Sequence, residues 1–216
     1  MDTIDRVESW RVVDACRVAV ADLLDGLTAE QLTTPSLCRG WTVRDVGAHL
    51  SMAALMTHRE TLTAAFRAGF RFDTMIREAA LERARSRTTA EITADLRSIV
   101  GSRRLAPTTF WRDPLLDALV HSQDIARPLA MSVPEHPLAA SVAADWAWRR
   151  TLGFPFFAAR HLRGLRLVAT DADFARGSGE EVRGPVTSLL LLSTGRRTAY
   201  DDLTGSGAPR ARALTA

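Results

Sequence analysis

The sequence has no lysine and no asparagine, a single tyrosine and two cysteines. Without lysine, all 28 basic residues are arginine, and both missing residues use A-rich codons, which points to a GC-rich genome. The net charge of +3 therefore reflects a group that stays protonated at any working pH, not a surplus designed for polyanions. Arginine-dense stretches such as Arg83-Ala84-Arg85-Ser86-Arg87 carry no interleaved aromatics. They read as solvated helix faces, and no nucleic-acid partner is expected. The longest apolar run, around Leu189-Leu190-Leu191-Leu192, is far short of the ~20 residues that cross a bilayer, so no membrane partner is expected. The start, Met1-Asp2-Thr3-Ile4-Asp5-Arg6, is polar and acidic, unlike a signal peptide, and a cytoplasmic location is expected. Cys16 and Cys38 have neither pairing nor metal-ligand spacing, which suits a reducing compartment. Cys16, in an apolar helical stretch, reads as packing; Cys38 lies in a loop beside Trp41 and its role is left open.

What is present is helical periodicity. Over 5–26, Val12, Val13, Val20, Leu23, Leu24 and Leu27 recur at near-helical spacing until Gly26 interrupts them. A loop over 33–41 follows, broken by Pro35 and Gly40. Thr42 opens a second helix, with Asp45 as its reciprocal capping partner. That helix is expected to run to about Arg59 and to continue, bent, to Ala68. Further helices are expected over 73–87, over 90–100 with Thr89 as cap, over 114–129 with Pro114 at its first position, and from Pro137 to about 153–155. Beyond that the texture changes. Residues 165–170 alternate like a strand, 171–179 are turn-rich, 181–183 read as a second strand, and 184–192 as a helix ended by Gly195; the tail past Gly205 reads as loose. The expected fold is mainly α with an α+β appendage, divided as 1–155 and 156–216. The length suits one large domain, or a medium domain with a small appendage.

Three residues stand out chemically. His49 falls inside the apolar stripe of the second helix, formed by Val43, Val46, Leu50, Ala53 and Ala54, so it points to the core, while His58, nine positions on, faces the opposite side. A core histidine is commonly a satisfied structural residue. Asp117 and His121 are four apart and stack on one helix face, with Asp124 following on the same side. This spacing fits a shared metal ion and equally fits a hydrogen-bonded pair on an exposed face. Two imidazoles and a carboxylate from two helices would hold an ion with positions open for water or substrate, the pattern of a catalytic site, with Asp124 or Gln123 orienting a ligand from behind. Zn²⁺ suits this set best, with Fe²⁺ and Ni²⁺ compatible. His136 and His161 receive no role. Of the five tryptophans, Trp41 is the best candidate for a pocket wall.

The segment Pro35-Ser36-Leu37-Cys38-Arg39-Gly40-Trp41-Thr42-Val43-Arg44-Asp45-Val46-Gly47-Ala48-His49-Leu50 resembles the N-terminal signature of the mycothiol-dependent maleylpyruvate isomerase family, within the DinB-like superfamily. Val120-His121-Ser122-Gln123-Asp124-Ile125-Ala126-Arg127-Pro128-Leu129 resembles its second signature, and 165–171, 182–185, 195–196 and 201–203 are similar to its small C-terminal domain. The resemblance implies a DinB-like four-helix bundle followed by a small α/β domain, with a divalent metal held by His49, Asp117 and His121. Relatives place Glu where this chain has Asp117, one methylene shorter, and commonly Gly where it has Ser122. The implied chemistry uses mycothiol as thiol cofactor or cosubstrate. Its metal-bound thiolate adds to an activated alkene, and rotation and expulsion then give the isomer, or the adduct is kept as an S-transferase product. Arg183 and Arg196 are candidates to hold a substrate carboxylate.

The sequence thus supports a metal- and thiol-dependent isomerase or S-transferase acting on a small electrophile. Two other readings use the same residues: a non-catalytic DinB-like metal- or ligand-binding or regulatory module, and a metal-dependent hydrolase with Asp124 as general base. Partners are a small-molecule substrate and a low-molecular-weight thiol; substrate and oligomeric state are not legible.

Overall fold

A computed structural model describes residues 4–52, 54–105, 109–149 and 161–214, apart from the side chains of His58 and Phe72. The chain divides into two compact units, Trp10–Pro134 and the combination of Met1–Ser9 with Glu135–Ala216. As expected, the fold is mainly helical with a small sheet near the C-terminus. No described helix is long and apolar enough to cross a membrane.

The first unit is helical. It comprises α1 (Arg6–Asp25, which begins in the other unit), α2 (Ala29–Leu32), α3 (Val43–Met52), α4 (His58–Arg67), α5 (Phe72–Ser86), α6 (Thr89–Ser98) and α7 (Asp113–Ala126). One core joins Val20, Ala21 and Leu24 of α1, Val43, Val46, Ala48, Leu50 and Met52 of α3, Ala80 and Ala84 of α5, Ile92 and Leu96 of α6, and Ile125 of α7. Helix α3 lies at its centre, and Gly47 lets α1 approach it. A Cβ at Gly47 would come within 2.5 Å of Leu24 Cδ1, so the absent side chain is what allows the contact.

Polar links cross the same helices. Arg83 donates from Nε to Ser51 Oγ at 2.7 Å and from Nη2 to Asp95 Oδ2 at 2.5 Å, joining α5 to α3 and α6. The expectation of a fully solvated arginine face over 83–87 is therefore corrected at two positions, since Arg83 turns inward and Ala84 is buried. Arg17, also buried, donates to the carbonyls of Ile99 and Ser102 just past the end of α6, where a helix leaves acceptors unsatisfied.

The helix opened by Thr42 does not continue to Arg59. It stops at Met52, and Thr57 starts α4 through a reciprocal capping box with Glu60. The Thr-x-x-Glu signature at 57–60 marks a start, and it overrides the helical periodicity that seemed to run through. A second such box, Thr28 with Gln31, builds α2 between the expected first helix and the loop over 33–41, where the sequence reading named no element. The cap of α6 is Thr88, one residue earlier than expected.

The second unit contains α8 (Pro137–Arg149), β1 (Leu165–Ala169), β2 (Ala175–Gly177), β3 (Glu180–Gly184), α9 (Val186–Ser193) and α10 (Ala208–Leu214). The sheet order is β2-β1-β3, with β1 antiparallel to β2 and parallel to β3. Leu165, Leu167 and Val182 face inward from the sheet, and α9 is buried over its whole length, as a helix apolar on all sides must be. Helix α8 packs on α9 and buries Ala139, Ala140, Ala143, Ala144 and Ala147, and it groups with the strands in this unit. The expected end of that helix at 153–155 lies outside the described residues. Two corrections concern short elements. Strand β2 lies within the stretch read as turns, and the tail beyond Gly205 is not loose: Gly207 N–H donates to Glu181 O, and α10 buries Ala208 and Ala211.

Because Leu24 is 1% exposed and packed on a glycine that cannot fill a void, Leu24→Ala should lower unfolding free energy by about 2–5 kcal/mol, read from urea denaturation.

A candidate metal centre in the helical unit

The site is assembled from one loop and two helices of the first unit. The loop between α2 and α3 is closed on itself. Pro35 and Thr42 form a bridge, Ser36 N–H donates to Trp41 O at 2.9 Å, Trp41 N–H to Cys38 O at 3.0 Å, and Val43 N–H to Thr34 O at 2.9 Å. Gly40 turns the loop with φ +76°, and a Cβ there would press on the Arg77 guanidinium at 3.0 Å. Leu37 N–H donates to Asp124 O at 3.3 Å, which ties the loop to the last turn of α7.

Helix α3 begins as expected, with Thr42 N–H and Oγ1 both donating to Asp45 Oδ2 and Asp45 N–H returning to Thr42 Oγ1. The cap sets the helix's rotation, and Val46 and Leu50 seat His49 against the core, 8% exposed. Helix α7 carries Pro114 in its first turn, where the missing N–H costs nothing, and buries Leu115, Leu116, Leu119 and Val120. Asp117 and His121 then share a face.

The three residues meet. His49 Nε2 lies 3.2 Å and His121 Nε2 3.3 Å from the same atom, Asp117 Oδ1, and the ligand atoms of all three lie within 4.8 Å of one another. The imidazoles stand nearly edge to face, 4.8 Å between centroids. Donors that share a tetrahedral ion at ~2.0–2.1 Å stand roughly 3.3 Å apart, and the two nitrogen–oxygen separations match that spacing. Trp41 packs against both rings at 5.2 and 6.4 Å, and it is buried, as a pocket wall would be. The Asp117 side chain keeps 33% of its surface open, against 11% for His49 and 13% for His121, so the open side of the cluster is the carboxylate side.

The electrostatics match this geometry. Burial alone would push the Asp117 carboxyl up, but the charges of His49 and His121 and their hydrogen bonds outweigh it and hold the group well below the usual carboxylate range. Burial would lower His121. The electrostatic influence of the neighbouring Cys38 and Asp117, with hydrogen bonds to Asp117 and Asp124, wins instead and carries the imidazole well above its ordinary value. Cys16 is different: burial pushes its thiol up to about 11, in keeping with a packing role.

Behind His121 stands a second group that the sequence did not resolve. Asp124, with no exposed surface, accepts from His121 Nδ1 at 2.8 Å and from Cys38 Sγ at 3.1 Å, and Cys38 Sγ lies 3.6 Å from His121 Nδ1. Cys38, His121 and Asp124 thus form a second donor cluster. Its signals in the sequence were Asp124, expected on the His121 side of the helix, and the place of Cys38 in the loop that leads into the His49 helix. The remaining candidates have partners of their own. Gln123 Oε1 accepts from Arg127 Nε at 3.0 Å. Arg183 is exposed on β3 and pairs with Glu181 at 3.1 Å, and Arg196 donates to Thr194 O at 2.8 Å; both belong to the other unit. A concavity of about 530 Å³ lined by Ala19, Leu23 and 130–134 includes no residue of either cluster, and its lining offers no titratable group.

The comparisons with known proteins fit this arrangement. No curated protein matches the sequence. A crystal structure of a mycothiol-dependent maleylpyruvate isomerase superposes with a TM-score of 0.61 at 12% identity, covering 96% of this chain and 97% of that one. A second structure of the isomerase, carrying a histidine-to-alanine mutation, gives 0.62 at 13% with the same coverage. At such identities the likeness establishes the fold. The model described as the mycothiol maleylpyruvate isomerase N-terminal domain matches residues 13–126, a span of more than half the chain that holds Trp41, His49, Asp117, His121 and Asp124. The chain therefore belongs to the mycothiol maleylpyruvate isomerase N-terminal domain family.

Proposed function

We propose that this chain is a metalloenzyme of the thiol-dependent isomerase or S-transferase kind, with His49, Asp117 and His121 as ligands of a divalent ion and mycothiol as the thiol. The observation that carries the reading is the convergence of two imidazole nitrogens from different helices on one carboxylate oxygen, at the separation that ligands of a common ion adopt. Two nitrogens and one oxygen favour Zn²⁺ and leave coordination positions for a thiol and a substrate atom. Bound there, the ion would lower the pKa of a coordinated thiol and keep it as the nucleophilic thiolate. The replacement of Glu by Asp117 does not prevent convergence, since Oδ1 already reaches both rings.

The chain's own residues have separable tasks in this reading. Asp124 holds the Nδ1 proton of His121 and so presents Nε2 toward Asp117. Trp41 closes one wall against water, and the exposed flank of Asp117 is the side from which ligands arrive. Arg183 and Arg196 stay candidates for a substrate carboxylate, which a guanidinium binds bidentately. The hydrolase alternative loses support, because its only candidate base, Asp124, has no exposed surface and faces the back of His121.

Two measurements follow. Purified wild type should hold about one equivalent of a divalent ion by mass spectrometry, and His49→Ala and His121→Ala should each lose it. A metal-free wild type that gains nothing on reconstitution would leave a binding module and no enzyme of this kind. The pH dependence is the second. An ion must displace the proton that His121 retains above 6.5, so chelator competition should show affinity falling as the pH is lowered. In the metal-free protein, the raised His121 pKa contributes stability that is full below 6.5 and lost as pH rises through the shifted value. The depressed Asp117 pKa contributes stability present above 3.8 and lost on acidification, so the metal-free melting temperature should fall both as pH drops below 3.8 and as it rises above 6.5 through the shifted His121 value.

A further inference from the structure

The second cluster assigns a task to Cys38. We propose that Cys38 is a positioning residue: its thiol donates to Asp124 and fixes that carboxylate so that it holds the Nδ1 proton of His121 and leaves Nε2 to bind the ion. The inference rests on the metal reading given above.

Asp124 is a carboxylate with no exposed surface, and such a group must be met by donors to remain charged. Its Oδ2 receives two of them, the His121 Nδ1–H at 2.8 Å and the Cys38 S–H at 3.1 Å. A carboxylate turns easily about its terminal bond, and a second donor on the same oxygen narrows that rotation further. Cys38 can serve because its loop is fastened before the thiol reaches inward. Ser36 Oγ accepts from Cys38 N–H at 3.2 Å, Trp41 N–H holds the Cys38 carbonyl, and Leu37 N–H is anchored on the carbonyl of Asp124 itself. The loop is therefore bound to the same residue through both its backbone and the thiol.

The same atoms admit a competing role, in which sulfur, Nδ1 and a carboxylate oxygen bind an ion directly. The two roles exclude each other. A neutral imidazole has one lone pair, so an ion on Nδ1 would leave a proton on Nε2 and withdraw His121 from the set with His49 and Asp117. The 2.8 Å contact between Nδ1 and Asp124 has the length of a charge-assisted hydrogen bond and favours the proton on Nδ1.

The test uses the full chain as wild type, Cys38→Ala and Cys38→Ser, with Zn²⁺ affinity read by chelator competition and the melting temperature of each metal-free protein read beside it. Outer-shell partners of metal-bound histidines change affinity by roughly 10–100-fold, and Cys38→Ala should weaken Zn²⁺ binding by about tenfold. Cys38→Ser, which keeps a donor, should recover most of the loss, while the metal-free melting temperatures of the two variants agree. A packing role would give a different result: both variants would melt early when metal-free, and serine would do no better than alanine. Equal affinity in Cys38→Ala and wild type overturns this inference alone. A sulfur-to-metal charge-transfer band in Co²⁺-loaded wild type, absent from Cys38→Ala, overturns it by making Cys38 a ligand. A wild type that takes up no ion overturns the metal reading and this inference together.

Discussion

Much of this molecule's local chemistry follows from one carboxylate oxygen held between two histidines. Asp117 Oδ1 faces His49 Nε2 from α3 and His121 Nε2 from its own helix, four residues on. The second contact is local and comes with helical geometry. The first is not: it depends on α3 and α7 being held at a fixed distance and rotation. That requirement explains why α3 is so thoroughly embedded. Its Gly47 admits α1, its Ser51 takes a bond from Arg83, and its cap fixes where the helix starts. A helix held on so many sides cannot turn His49 away from Asp117 without disturbing the core.

The charges reinforce the geometry. An ionised aspartate against two imidazoles is costly to bury unless each group compensates the others, and the opposite shifts of Asp117 and His121 are that compensation. The same balance prepares the site for a cation: the carboxylate is already ionised, and one imidazole has its far nitrogen occupied by Asp124.

The sequence exposed local rules better than long-range ones. The start of α3 and the shared face of Asp117 and His121 were legible because capping and i,i+4 spacing act within a few residues. The end of α3 was misread since periodicity ran on through 53–57, and only the Thr57–Glu60 box marks the new helix. The meeting of His49 with Asp117 spans 68 positions, and bare spacing could not separate it from an ordinary core histidine and an exposed pair. The resemblance carried that step. Cys38 was harder still, because its partner lies 86 positions away and its own neighbours give no ligand pattern. Strand β2 and helix α10 escaped for another reason. Each is short, and each exists through pairing with elements fixed elsewhere, β1 for the strand and β3 and the 197–202 turn for the helix.

The uneven exposure of the three candidate ligands has a consequence for traffic. The two rings are shielded by Trp41 and the core, and solvent reaches the cluster mainly along the flank of Asp117. On the metal reading proposed above, exchange with solvent would therefore begin at the carboxylate, the candidate ligand that water reaches first.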